Sequence, residues 1–257
     1  MFDRSSMRPG EWLVYVSVVF LFATALGLEL VAPERLETVY LAEDGVLEWL
    51  IVIIFAFLAG LCFWRALQLR RMRSGAFVGV SVLLGLAFIF GIGEELSWGQ
   101  RIFGIETPGP LKRYNKQQEL NIHNLKVGRI NFNQLIFGWL LFLGLALYLL
   151  VLPWLADRYA QVRAWVDHLG LPLATRLQAL AFVPVLILPQ QLLASKESDE
   201  LAEVCGALLL VAVFCYARNR SIYSPMPGAG IGSRSTASRA VAQTAPLDQP
   251  YRGWPPR

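Results

Sequence analysis

Charge is scarce in this chain. Asp, Glu, Lys and Arg make up 16% of its 257 residues, and 55% are apolar, whereas a soluble domain carries about 25% charged residues. That deficit excludes an ordinary water-soluble domain. The charges present are bunched, so long apolar runs lie between them. Histidine is rarer still, limited to His123 and His168. Two histidines on opposite sides of a membrane exclude a haem held by a histidine pair, and so small a number excludes the several-histidine sites of ceramidase-like enzymes. Cysteine is limited to Cys62, Cys205 and Cys215, all inside apolar runs and without C-x-x-C spacing. Neither a disulfide framework nor a thiolate metal site follows, and the three read as small packing residues. No internal repeat is visible, which removes the usual signature of a repeat-built transporter.

What is present is a set of membrane-length segments. A bilayer core of about 30 Å needs about 20 mostly apolar residues as helix. Six segments qualify: Trp12–Ala32, Val46–Leu69, Ala76–Gly93, Gln134–Leu155, Leu177–Ala194 and Leu201–Ala217. The first is too long for a signal-peptide core and lacks a small-x-small cleavage site before Pro33. The fifth contains Pro184 and Pro189, which predict a kink and not a break, because neighbours in a bundle satisfy the freed carbonyls. The fold expected is all-α, a polytopic bundle of about six spans with a long loop between the third and fourth, residues 94–133. The transmembrane domain is read as residues 1–220. The tail of 221–257, rich in Ser, Gly, Pro and Ala, is read as disordered. Asp157 to Arg176, with Trp165 and His168, predicts a short amphipathic helix lying along the membrane surface.

Arginine and lysine set the orientation. Arg4 and Arg8; Arg65, Arg70, Arg71 and Arg73; Arg158, Arg163 and Arg176; and Arg218 with the tail arginines all fall on one side of a six-span arrangement. Opposite them, the first and third loops hold Arg35 and Lys196 among seven acids. Both termini are therefore expected in the cytoplasm, and the protein in a bacterial cytoplasmic (inner) membrane with the bilayer as its first partner. A sequence pI near 9.1 does not imply nucleic acid, since the basic residues sit at the edges of apolar runs. The 94–133 loop breaks the rule. It carries Arg101, Lys112, Arg113, Lys116, Lys126 and Arg129 on the outer side, and loops of about 40 residues are uncommon without a role.

That loop opens on GIGEELSWGQRIFGIETP and continues to QQELNIHNL. If the third helix continues through Arg101, then Glu94, Ser97, Trp98 and Arg101 share one face. Glu119 and His123 meet whether their segment is helical or extended. Glu29, Glu48, Gln190, Gln191 and Glu203 lie toward the same side, while the opposite ends of the spans look comparatively free of carboxylates. Ionisable groups at membrane depth usually face a bundle interior or cavity, so an outward polar cup lined by Glu48, Glu94, Glu95, Arg101, Glu119 and His123 is expected. Within it, Glu94, Glu95, Glu119 and His123 are the candidate catalytic groups, because a carboxylate beside a histidine can activate water. Glu94, Glu119 and His123 are also candidate ligands for a divalent metal ion. Arg101 would clamp an anion, with Ser97, Trp98, Gln100, Asn121 and Asn124 as substrate contacts.

Three functional classes fit this pattern. One is a membrane-embedded enzyme acting on a lipid-like or anionic membrane-associated substrate. The second is a transporter or channel component, and the third is a non-catalytic assembly partner that binds lipid or another membrane protein. EELSWGQR is loosely similar to the EExxxR of glutamate-type CAAX proteases, but it has two extra residues, and the further histidine motifs of that family have no counterpart. EELSWGQRIFG together with NIHN resembles a family of uncharacterised bacterial polytopic integral membrane proteins with EE-x-SWGQRIFG and N-x-HN runs. That resemblance covers about residues 91–125. It implies no activity, but it does imply that the two motifs belong to one site.

Overall fold

The computed structural model describes residues 8–42, 45–115, 118–122, 125–128, 130–132, 135–136, 140–195 and 197–224, with the backbone alone at Arg101, Pro110 and Ile130. The fold is all-α apart from two-residue strands, Lys126–Val127 and Ile130–Asn131, paired antiparallel in the long loop.

Helix α1, Pro9–Val31, starts with proline in its first turn, where no backbone N–H is needed, and with Glu11 at the positive end of the helix dipole. Its buried stripe is Val14, Val18, Leu21 and Ala25, one face of the helix. The chain then turns back through Pro33–Arg35 and a π-type turn, Leu36–Tyr40. Tyr40 donates its hydroxyl proton to the Leu21 carbonyl at 3.1 Å, pinning that return to α1. Helix α2, Val46–Leu69, has the bounds read from hydropathy. Helix α3, Gly75–Glu95, begins at Ser74, whose hydroxyl accepts the Phe77 N–H at 3.2 Å. These two form the most extensive helix pair.

After the loop, α4 runs over Leu141–Arg158. It passes through a π-type stretch, Leu147–Val151, just ahead of Pro153, where the wider register accommodates a residue that cannot donate a backbone hydrogen bond. Helix α5, Ala160–Leu169, matches the expected amphipathic segment, with Val166 buried and Trp165 exposed. Helix α6, Arg176–Leu192, continues through Pro184 and Pro189 without a break. Helix α7 is Ser198–Cys215.

Among the described residues, four helices are long and apolar enough to cross a membrane, α1 to α4. The chain is thus a multi-pass membrane protein by the length and composition of its helices. The remaining two of the six expected segments are shorter or more polar. Helix α6 has 17 residues, and α7 opens on Asp199, Glu200 and Glu203. Helix α7 departs from a lipid-facing composition because it faces protein: it packs against α6, α2 and α1, burying Leu201, Val204, Cys205, Leu209, Ala212 and Val213. All three cysteines are free thiols in packed surroundings.

The packed chain also runs past the expected start of the tail. Arg220–Tyr223 forms a 3₁₀ turn. Ile222 is buried with Leu69 and Phe77, and the Tyr223 hydroxyl donates to the Gly170 carbonyl at 2.8 Å. The rest of the tail, 225–257, lies outside the described residues.

Candidate functional site

Helix α3 does not continue through Arg101. It ends at Glu95, and the next residues turn the chain into the left-handed region: Ser97 at φ 46°, Trp98 at φ 54° and Gly99 at φ 78°. A short helix, Gln100–Phe103, then restarts in a new direction. Glu94 and Arg101 therefore do not share one helical face. The helical pattern offered one warning of this turn, Gly99, since Ser97 and Trp98 are residue types that seldom adopt positive φ. A left-handed conformation costs an L-residue about 1–2 kcal/mol. Among the described residues the non-glycine positions with positive φ are Ser97, Trp98 and Gln118, and all three lie in this one region.

Hydrogen bonds hold the strained turn. Trp98 folds back over α3, and its indole N–H donates to Glu94 Oε1 at 3.0 Å. Its ring lies edge-on to Phe90, with centroids 5.7 Å apart, and sits over Gly93, where a Cβ would come within 2.9 Å of ring atoms. The second motif docks beneath. The backbone N–H of Ile122 donates to Glu94 Oε2 at 2.7 Å, so both oxygens of this carboxylate, which is 4% exposed, accept from groups that fix the loop. Ser97 is fully buried. Its hydroxyl donates to Glu119 Oε2 at 2.5 Å. Asn121 Nδ2 donates to the same carboxylate oxygen at 2.9 Å and to Ser97 Oγ at 3.0 Å. Gln100 Oε1 accepts the Leu120 N–H at 2.7 Å, and Gln100 Nε2 donates to Thr107 Oγ1 at 2.5 Å. Thr107 in turn donates to the Gln118 carbonyl.

The two motifs thus form one network of buried and half-buried polar groups. Of the residues expected at the site, Glu94, Ser97, Trp98, Gln100, Glu119 and Asn121 meet in it. Glu119 and Asn121 come together in a segment that is neither helix nor strand. His123 and Asn124 lie outside the described residues, as does the side chain of Arg101. The metal expectation needs His123; among the described residues no three His, Cys, Asp or Glu side chains are grouped to hold an ion. Glu203, on α7, lies near enough to Glu95 to feel its charge, and Glu200 likewise feels Glu48. These carboxylates sit at the helix ends of α2, α3 and α7 on the loop side. Glu29, at the same end, accepts from the Ala194 N–H at 3.4 Å and ties α1 to the α6–α7 turn.

Sequence reasoning missed Asn115. Its amide donates to the Asn121 carbonyl at 2.9 Å and to Asn121 Oδ1 at 3.0 Å, and its own Oδ1 accepts the Glu119 N–H at 3.1 Å. It missed a second polar centre at the other end of the bundle as well, so that end is not free of buried carboxylate. Glu11 is buried there, accepting from Gln178 Nε2 at 2.9 Å. Gln178 is fully buried and also donates to the Ala212 carbonyl at 3.1 Å. Arg65, buried nearby, donates to the Phe214 carbonyl at 2.7 Å, and its guanidinium lies 3.8 Å from the centroid of the Tyr223 ring. The readable signal for this centre was Thr175-x-x-Gln178, a capping box ahead of an apolar run, which the structure forms with both of its bonds.

No protein-family model matches the chain, and no curated protein or solved structure is similar to it at a significant level.

Proposed function

We propose that the chain is a six-span protein of a bacterial inner membrane, with both termini cytoplasmic and the polar network facing outward, and that this network is a membrane-embedded enzyme site for a lipid-like or anionic substrate. In this reading α6 and α7 complete the six spans, and the chain belongs with the bacterial membrane proteins whose EE-x-SWGQRIFG and N-x-HN runs it resembles. Glu119 is the general base or a metal ligand, held in one orientation by Ser97 and Asn121. His123 shares its proton or its metal, Glu95 supplies further negative charge, and Arg101 clamps the anion, with Asn124 as a further substrate contact. Glu94 takes a different part: it locks the two motifs together through Trp98 and Ile122.

One observation carries this reading. Two segments more than 20 residues apart in sequence are brought into one buried network at the cost of three left-handed non-glycine residues. Backbone strain of that kind persists where the surroundings over-determine it, and it clusters at active sites. A passive loop satisfies its polar groups more cheaply with water.

The test compares thermal midpoints of the detergent-purified protein with those of Glu119→Gln and His123→Ala, each with and without added Mg²⁺, Mn²⁺ or Zn²⁺. Glutamine keeps an oxygen for Ser97 and Asn121. The expected result is variants as stable as the parent, or more so, that lose a metal-dependent rise seen in the parent. A sharp fall in both midpoints with no response to metal would mark the network as structural and leave an assembly or transport role.

A further inference from the structure

The polar network has a direction, and two backbone groups fix it. The Glu119 N–H can only donate, and the Asn121 carbonyl can only accept. Asn115, which is buried, lies between them. Its Oδ1 accepts the Glu119 N–H at 3.1 Å. Its Nδ2 is therefore the end that meets Asn121, donating to the carbonyl at 2.9 Å and to Oδ1 at 3.0 Å. That leaves the buried Asn121 amide one orientation. With Oδ1 turned to Asn115, its Nδ2 faces Ser97 Oγ at 3.0 Å and Glu119 Oε2 at 2.9 Å, and gives one proton to each. Ser97 has a single hydroxyl proton. Since Ser97 Oγ already accepts from Asn121, that proton goes to Glu119 Oε2, at 2.5 Å. The polarity runs from Asn115 through Asn121 and Ser97 and ends on one carboxylate oxygen, whose two lone pairs are then both occupied.

We infer that Asn115 is the positioning residue of this site, and that it acts through Asn121 by setting this polarity. Glu119 Oε2 is committed to the scaffold, so a proton or a metal ion taken up by Glu119 sits on Oε1. This inference deepens the site reading above and rests on it. For joining the two motifs it does not matter whether residue 119 or residue 121 carries the negative charge, provided each donor still meets an acceptor. For chemistry at Glu119 it matters entirely.

The test moves the charge and keeps the bonds, in the full-length protein purified in mild detergent. Asn121→Asp sets a second carboxylate against Glu119 Oε2, and like charges that close repel. Adding Glu119→Gln turns that bond round: the new amide donates to the new carboxylate, and Asn115 keeps its acceptor. The thermal midpoint of Asn121→Asp is expected to fall sharply, and that of Asn121→Asp/Glu119→Gln to return most of the way to the parent. Asn121→Asp as stable as the parent, or a double variant no better than the single one, would overturn the polarity. The same samples are then read with Mg²⁺, Mn²⁺ or Zn²⁺. The metal-dependent rise of the parent should be lost in the double variant, although its net charge is the same. The rise should also shrink in Asn115→Asp, which keeps an acceptor for the Glu119 N–H and adds a negative charge that by itself favours a cation. A rise retained in the double variant, or enlarged in Asn115→Asp, would overturn the parts given to Oε1 and Asn115. No rise in the parent would sink the site reading and with it the work assigned to Oε1, while the midpoints without metal still decide the polarity.

Discussion

Each end of this bundle buries a glutamate, and the two are built in different ways. At the end where α1 begins, Glu11 meets the side-chain amide of Gln178, and Arg65 meets a carbonyl in the last turn of α7. Glu11, Arg65, Gln178, Ala212 and Phe214 all sit on regular helices, and none has positive φ. Of the carbonyls it uses, Phe214 lies in the last turn of α7, where helix carbonyls lack partners within their own helix, and Ala212 accepts the Tyr216 N–H at 2.9 Å as well as Gln178. This end joins regular helices side by side. At the loop end, Glu94 and Glu119 are held by Trp98, Ser97, Asn121 and the Ile122 N–H, on a backbone forced into the left-handed region. Nothing in helix termination requires that arrangement. The difference separates polar burial that stabilises from polar burial maintained at a cost.

The largest expected effect is at the first end. In Gln178→Leu the amide that joins Glu11, Ala212 and the Thr175 N–H disappears, and a buried carboxylate loses its 2.9 Å donor. Leaving a buried charged group short of partners is the costly half of hydrogen-bond energetics, so a loss of about 3 kcal/mol is expected. Removing both partners in Glu11→Met/Gln178→Leu should recover most of it. Chemical denaturation of the two variants checks this. If the double variant is the worse of the two, Glu11 contributes more than a helix-joining bond and the contrast between the ends weakens.

A smaller effect is expected at the loop end from Gly93→Ala. The added methyl would lie 2.9 Å from the Trp98 ring, and the half-exposed ring can swing outward. The expected cost is about 1–2 kcal/mol. The accompanying sign is a change in tryptophan fluorescence as the indole leaves Glu94. An unchanged spectrum would show that Trp98 is not held by the network.

Much of the frame was legible from hydropathy alone. The run from Val46 to Leu69 matches a helix end to end, and α6 continues through both of its prolines, because a long apolar period survives local irregularity. Part of the network was legible as well: Glu94, Ser97, Trp98, Gln100, Glu119 and Asn121 meet in it, since a dense polar cluster beside membrane-length runs has few places to go, while Asn115 was not foreseen. Its geometry was not. The helical projection of Glu94 onto Arg101 failed at Ser97 and Trp98, two residues whose left-handed backbone is imposed by tertiary hydrogen bonds and not by their own preference. The Glu11–Gln178 bond was hidden for a related reason. Its partners are 167 residues apart, and each looks alone like a polar flank of a span.

The smallest expected effect is the sharpest probe of that cost. Gln118 sits at φ 60°, and its backbone carbonyl is what the network uses, accepting from Thr107 and, at 3.4 Å, from Gln100 Nε2. Glycine keeps that carbonyl and adopts the left-handed region freely. The side chain's penalty of about 1–2 kcal/mol is then removed, while the greater backbone freedom of glycine in the unfolded chain returns about 0.5–1 kcal/mol. Gln118→Gly should therefore raise stability by about 0.5–1 kcal/mol, read as a higher midpoint in chemical denaturation. The same exchange at an exposed helical position, such as Gln161→Gly in α5, should lower it by a similar amount. Opposite signs for the same substitution would establish that the loop end stores strain which the helices do not. Destabilisation at both positions would mean that the Gln118 side chain contributes contacts outweighing its backbone penalty, and that the loop owes less to strain than its φ angles imply.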